Sequence, residues 1–132
     1  MERIVKFILV LIILFFCFAL PSRAEDSYMN LSTLITAQNI NFETCTKVFN
    51  IENTRLYYLT IEAINANKFK IDELQSKSGY ILFTAVNKQF LATISNVNTN
   101  QSMLKIIPVN SNYYFQPGIV LNIYKFIELN IK

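Results

Sequence analysis

The chain has no histidine and no tryptophan, only two glycines and only two cysteines. Each shortage excludes something. Without histidine there is no Ser–His–Asp triad and no Cys–His nucleophilic pair. The commonest metal ligand and the usual general base near neutral pH are missing too. Gly79 and Gly118 stand alone, so no glycine-rich loop can cradle a phosphate. Zinc would have to be held by Cys45 and carboxylates, an improbable donor set. No catalytic residue, cofactor or metal ligand is therefore assigned.

What is abundant is apolar surface, at 52% of 132 residues, and it is unevenly spread. Arg3 and Lys6 precede 14 uninterrupted apolar residues, 7–20. Pro21, Ser22, Arg23 and Ala24 follow, with Ser22 and Ala24 where a signal peptidase wants small side chains. This is the order of a secretory signal peptide over residues 1–24. The run is shorter than the roughly 20 residues of a membrane span. Cleavage after Ala24 is thus favoured over a retained anchor. Cys17 makes a poor lipoprotein signal, because Phe15 and Phe16 precede it.

Removing 24 of 132 residues leaves 108, enough for one modest core. The remainder carries nine basic and eight acidic residues, a net charge of +1. That balance offers no footprint for nucleic acid. One cysteine remains, Cys45, so no internal disulfide forms and packing must hold the fold. Cys45 reads first as a small buried side chain and second as a possible free thiol with a functional role.

Residues 25–44 are rich in Ser, Thr and Asn and read as an N-terminal tether, leaving 45–132 as a single small domain. Residues 46–51 suggest a first strand. Asn53 and Thr54 offer a helix cap, followed by a stripe of Leu56, Leu59, Ala63 and Ala66. Of the adjacent Tyr57 and Tyr58, one should face the core and one the surface. The helix should close at Asn67, which tolerates the left-handed region. Strands are expected over 69–74, 80–86, 89–95 and 103–109. Turns are expected at 75–79 and at Asn87–Lys88, and a polar loop over 96–101. Phe90, Ala92 and Ile94 share one face; whether Ile81 or Leu82 points inward is open. Pro108 requires a strand end or edge. Pro117 suits the first turn of a last helix reaching about residue 130, with Ile119, Ile123, Phe126 and Ile127 inward. The predicted fold is α+β: a two-layer sandwich, an antiparallel β-meander with two helices on one face, in the order β-α-β-β-β-β-α.

The stretch LYYLTIEAINANKFKIDELQSKSGYILF, residues 56–83, resembles the helix–strand–turn–strand core of BamC-like envelope lipoprotein domains. Gly79-Tyr80-Ile81 matches their G-x-I strand start. Asn67-Lys68 stands where those domains usually have glycine, and the lipidation signal is lacking. The likeness runs over about residues 46–130. It implies an envelope-associated, non-enzymatic accessory role and brings no catalytic residue with it.

Asp72 and Glu73 are the only adjacent acidic pair beyond the tether. On a regular strand their side chains would point to opposite faces, so no glycosidase-like pair is expected. Tyr113, Tyr114 and Phe115 form the candidate interaction patch, since aromatic residues are enriched at interface centres. The plainer reading is that these rings close one end of the core. The expected function is that of an exported, periplasmic or extracellular accessory or protein-interaction domain. Its expected partner is an envelope protein, with membrane contact only through an uncleaved N-terminal segment. The alternative is a carrier of small apolar ligands or lipids, with a cavity lined by Phe83, Phe90, Ile94 and Phe126.

Overall fold

The computed structural model describes residues 33–132. The expected signal peptide at 1–24 and most of the tether lie outside these residues. Ile35–Lys132 forms one compact unit.

The sheet is built on strict alternation. β4 (Tyr80–Ala85) buries Ile81, Phe83 and Ala85; β5 (Lys88–Asn98) buries Phe90, Ala92 and Ile94. Ile81, not Leu82, is therefore the inward residue. The register sets Phe83 opposite Phe90 and Ile81 opposite Ala92. β6 (Gln101–Pro108) continues the same inner face with Ser102, Leu104 and Ile106. β2 (Thr46–Phe49) pairs with β6, and β3 (Lys70–Gln75) pairs with β4. β1 (Gln38–Asn39) lies outside this sheet. The five-stranded order is β2-β6-β5-β4-β3, antiparallel throughout. The meander of β3 to β6 thus ends beside the first long strand. α1 (Asn53–Ala66) crosses over between β2 and β3, and α2 (Gly118–Asn130) follows the sheet. Both helices contribute to one core with the inner sheet face, so the α+β two-layer arrangement is as expected. The outer face carries a row of half-buried Leu82, Leu91 and Ile107.

Local chemistry moved several boundaries. Glu52, not Asn53, precedes α1, and it makes no side-chain cap bond. The helix buries Leu56, Tyr57, Leu59, Thr60, Ala63 and Ile64. Ala66 is exposed because the last turn rotates out of the stripe. Tyr57 goes inward and Tyr58 outward, their rings edge-on at 5.6 Å. Asn67 stays right-handed and donates from Nδ2 to the Ala63 carbonyl (2.8 Å); Lys68 takes the left-handed position instead. The β4–β5 turn falls on Val86 and Asn87, both at positive φ, one residue earlier than expected. That pair of left-handed residues fits the twist of a two-residue hairpin.

The polar loop expected over 96–101 is instead a hairpin tip, with β5 running to Asn98 and β6 starting at Gln101. Asn98 Nδ2 donates to Gln101 Oε1 (2.8 Å), and the Asn100 amide donates to Asn98 Oδ1 (3.0 Å). Side-chain amides thus supply the turn. Pro108 ends β6 opposite Phe90, beyond the reach of β2, whose pairing stops at Lys105. Its missing N–H therefore leaves no gap in a ladder. In α2, Tyr124 is buried and Phe126 only half-buried. Phe126 lies at the edge of the stripe set by Ile119, Ile123 and Ile127.

The core is centred on stacked rings. Phe69 stacks on Phe83 (6.1 Å), Phe83 on Phe90 (5.5 Å), and Phe90 meets Phe115 edge-on (5.0 Å). Buried hydroxyls are satisfied where they sit near backbone. Thr60 donates to the Leu56 carbonyl (2.7 Å) and Ser102 to the Ile51 carbonyl (3.0 Å). Arg55, in the first turn of α1, donates to the Ile131 carbonyl (2.8 Å), which ties the start of α1 to the end of α2.

Two substitutions test this core. Phe90→Ala removes the central ring and should cost about 3–5 kcal/mol in denaturant melts; a loss under about 1 kcal/mol would refute a solid interior. Gly79 has φ +69°, and an added Cβ would lie 2.7 Å from the Ile94 carbonyl oxygen. Gly79→Ala should therefore cost about 1–3 kcal/mol, read from the same melts.

Candidate interaction surface

Three tyrosine and phenylalanine residues in a row cannot all point one way on an extended backbone, because side chains alternate. Tyr114 and Phe115 form β7 (Tyr114–Phe115), which pairs antiparallel with β1. Phe115 turns inward against Phe90 and is 1% exposed. Tyr114 must then turn outward, and it is 56% exposed. Tyr113 is half-buried and meets Phe42 edge-on at 6.2 Å. Phe42, in the 3₁₀ turn Phe42–Cys45, is 58% exposed. The patch proposed from sequence is thus divided. Phe115 is a core anchor, Tyr113 packs partly against the core beside Phe42, and Tyr114 is the exposed ring of the three. Phe42 went unnoticed because it lies in a stretch read as tether. A lone phenylalanine among polar residues was the available signal.

The loop that presents these rings is tied down. The Asn112 amide donates to Asn110 Oδ1 (3.0 Å) and the Tyr114 amide to Asn112 Oδ1 (3.1 Å). The Ile40 amide donates to the Tyr113 carbonyl (2.8 Å). Lys88 Nζ donates to the carbonyls of Asn112 (2.5 Å) and Tyr114 (3.2 Å) and lies 5.5 Å from the Phe115 ring centroid. Its charge is used to hold the loop. The Val86–Asn87 turn and Val109 reach the same end of the molecule, since the Val109 amide donates to the Gln89 carbonyl (3.0 Å).

Cys45 is fully buried, and burial pushes its thiol pKa up. The nucleophilic thiolate is therefore disfavoured. Tyr124 lies beside it. Burial, and then the neighbouring Cys45, push the Tyr124 phenol well above its usual range. The Tyr124 hydroxyl is buried without a hydrogen-bond partner.

The acidic pair differs from expectation. A bulge between Ile71 and Glu73 adds Asp72 to the edge strand. Asp72 accepts from Thr84 Oγ1 (2.6 Å) and Gln89 Nε2 (3.3 Å), and Glu73 accepts from the Tyr80 hydroxyl (2.8 Å). Thr84 and Tyr80 both stand on the outer face, so the two carboxylates share that face rather than facing apart. The Thr84 and Gln89 bonds, with Lys70 nearby, hold Asp72 below the usual carboxylate range. What those bonds add to stability is complete above the ordinary carboxylate pKa and is lost only as pH falls through the lowered one.

Two polar clefts lie at the opposite end. One, of about 340 Å³, is lined by Glu52, Asn53, Thr54, Asn96, Asn98 and Thr99. Its neighbour, of about 410 Å³, adds Asn50, Arg55 and Asn100. Asn53, Asn96 and Asn98 make half of the first lining, the second mixes Asn50 and Asn100 with Ile51, Glu52, Arg55 and Thr99, and Arg55 is engaged by the end of α2. Among the described residues no three His, Cys, Asp or Glu side chains group to hold a metal, and no helix is long and apolar enough to cross a membrane. No known protein-family profile matches the chain, and no characterised protein matches it in sequence.

Tyr124→Phe removes the unpartnered hydroxyl and should raise stability by about 1 kcal/mol, the scale of desolvating a polar group without compensation. Midpoints from denaturant melts read this directly. A loss of that size would mean that the hydroxyl has a partner. Repeating the substitution in a Cys45→Ala background would then show whether the thiol is that partner.

Proposed function

We propose that the protein is an exported, non-enzymatic accessory domain of the cell envelope, periplasmic or extracellular, that docks a component of the envelope through its aromatic end. The observation that carries this reading is the pairing of two exposed rings, Phe42 and Tyr114, with a rigid base. Exposed aromatic rings held by hydrogen-bonded backbone lose little entropy when a partner covers them. Anchors of this type dominate binding energy at interfaces.

The order of helices and strands supports the same reading, since it agrees with the order on which the likeness to BamC-like domains rests. The N-terminal pattern of charge, apolar run and small residues supports export. The carrier alternative needs a void where Phe83, Phe90 and Phe69 stack. The enzyme alternative needs a nucleophile or an acid–base pair. Cys45 is buried, and Asp72 is held ionised by its hydrogen bonds.

Cross-linking in the native envelope tests the proposal. The full chain and its Phe42→Ser/Tyr114→Ser variant would be compared, with circular dichroism confirming that both fold. The wild type should cross-link to envelope components, and the variant should lose most of that yield. Equal yields would remove the aromatic end from the function.

A further inference from the structure

Both helices pack on the inner face of the sheet, so among the described residues neither covers the outer one. We infer that this outer face is the interface of a two-fold dimer, with a second copy of this chain as its occupant. The inference stands apart from the docking role proposed for the aromatic end.

The first observation is an apolar row that is its own complement. Leu82, Leu91 and Ile107 stand side by side across β4, β5 and β6, and each is half-buried. β5 is the middle strand of the five. A two-fold axis laid along β5 sets Leu91 against its own copy. It also sets Leu82 against Ile107 of the second copy, and Ile107 against Leu82. Branched side chains of similar size thus meet along the whole row. Val48 and Met103, paired on the same face, extend the apolar contact toward β2. Stacked sheets pack in this manner about 10 Å apart, with their strands within about 30° of each other.

The second observation is charge, and it fixes the direction of the axis. Lys105 stands on β6 between Thr93 and Thr46. It is half-buried, and among the described residues it has no ion pair or hydrogen bond. Across the sheet, Glu73 accepts from the Tyr80 hydroxyl through Oε1 (2.8 Å). Lys70 is answered by Asp72 of its own chain (3.8 Å), so Glu73 is the uncompensated charge at that edge. Tyr80 opposes Thr93, and Thr93 opposes Lys105, so the three share one row. The axis along β5 lays β4 of the second copy over β6. Lys105 then meets Tyr80 and Glu73 of that copy, and its flexible four-carbon stem bridges the gap between the sheets. An axis laid across the strands does the opposite. It puts β3 on β3, so that Glu73 faces Glu73, and such like-charge contacts oppose association.

Growth at the edges is blocked. β3 carries a bulge with Lys70, Asp72 and Glu73, and β2 has only 4 residues. Short, bulged or charged edge strands keep sheets from pairing edge to edge. Contact through the face is what remains. Five strands about 4.8 Å apart and about 20 Å long give roughly 500 Å² of face per copy, so a pair buries roughly 1,000 Å², the lower limit for a specific interface. The dimer is therefore weak and depends on concentration. An axis along the strands also keeps both aromatic ends on the same side, so the dimer presents them as a pair.

The test is sedimentation velocity on the full chain across the micromolar range, in a mild non-ionic detergent that keeps the apolar run 7–20 in solution. Wild type is compared with Lys105→Glu, with Glu73→Lys and with an equimolar mixture of the two variants; circular dichroism confirms that each folds. Wild type should pass from monomer to dimer as its concentration rises. Each variant alone should dimerise about ten-fold or more weakly, because it sets like charges against each other at both symmetry-related contacts. The mixture should regain the wild-type dimer, since the exchanged charges oppose each other correctly only in a mixed pair. A wild type that stays monomeric overturns the inference. So does a dimer that neither substitution weakens, or a mixture that associates no better than its parts.

Discussion

The ring column Phe69–Phe83–Phe90–Phe115 is the interaction on which the rest of the structure depends. A domain of about a hundred residues without a disulfide has only packing to offset chain entropy. Here the largest fully buried side chains are Phe83, Phe90 and Phe115. Aromatic pairs in such geometries add about 0.5–1.5 kcal/mol each beyond the area they bury. The column also crosses elements. It begins beside the α1–β3 junction, runs through β4 and β5, and ends on β7. Because Phe115 is fixed in this column, the backbone at β7 is fixed, and alternation sends Tyr114 outward. The exposed ring is thus a mechanical consequence of the buried one.

The same dependence gives the unit two different ends. At one, β1, the 3₁₀ turn, the β4–β5 turn and the loop after β6 converge, and their exposed side chains are aromatic and aliphatic. At the other, the β5–β6 tip and the start of α1 converge, and their side chains are mostly polar, amides and hydroxyls with Glu52 and Arg55. Among the described residues four non-glycine residues take positive φ, and three of them, Val86, Asn87 and Ser111, lie at the apolar end. Left-handed backbone away from glycine costs of order 1–3 kcal/mol at each site when nothing local relieves it. Asparagine side chains provide such relief around Ser111, where Asn110 and Asn112 accept the amides that follow. Val86 has no comparable help from its own side chain. Strain is therefore concentrated at the end that carries the exposed rings.

Much of the fold was legible because the periodicities are clean. Phe90, Ala92 and Ile94 alternate against polar neighbours, and Gly79 marks its turn without competition. The near-continuous run at 80–86 hid its own period. Only pairing with β5 reveals that Ile81 and Phe83 face inward, since Phe83 opposes Phe90. The β4–β5 turn was misplaced by one residue because valine is a poor candidate for a left-handed turn. The loop at 96–101 looked unstructured for a related reason: asparagine-rich sequence disguises a hairpin whose turn bonds come from side chains. Asp72 and Glu73 were set on opposite faces by a rule that holds for regular strands, and a bulge at an edge is not visible in composition. At the candidate site, Tyr113, Tyr114 and Phe115 were found as a group. Their division into anchor and surface depends on β1, a two-residue strand too short to leave a pattern.

That division bears on how the surface can work. If all three rings were exposed, the loop would have no hold on the core and would pay the ordering entropy whenever it bound. If all three were buried, there would be nothing to present. One ring inward, one half-buried and one outward joins the loop to the ring column while leaving Tyr114 and Phe42 available. Lys88 completes the arrangement by bonding the loop carbonyls of Asn112 and Tyr114. A lysine held there also sits 5.5 Å from the Phe115 ring centroid, so the charge is engaged by the loop and the ring column together. Rigidity and apolarity at this end thus come from the same contact.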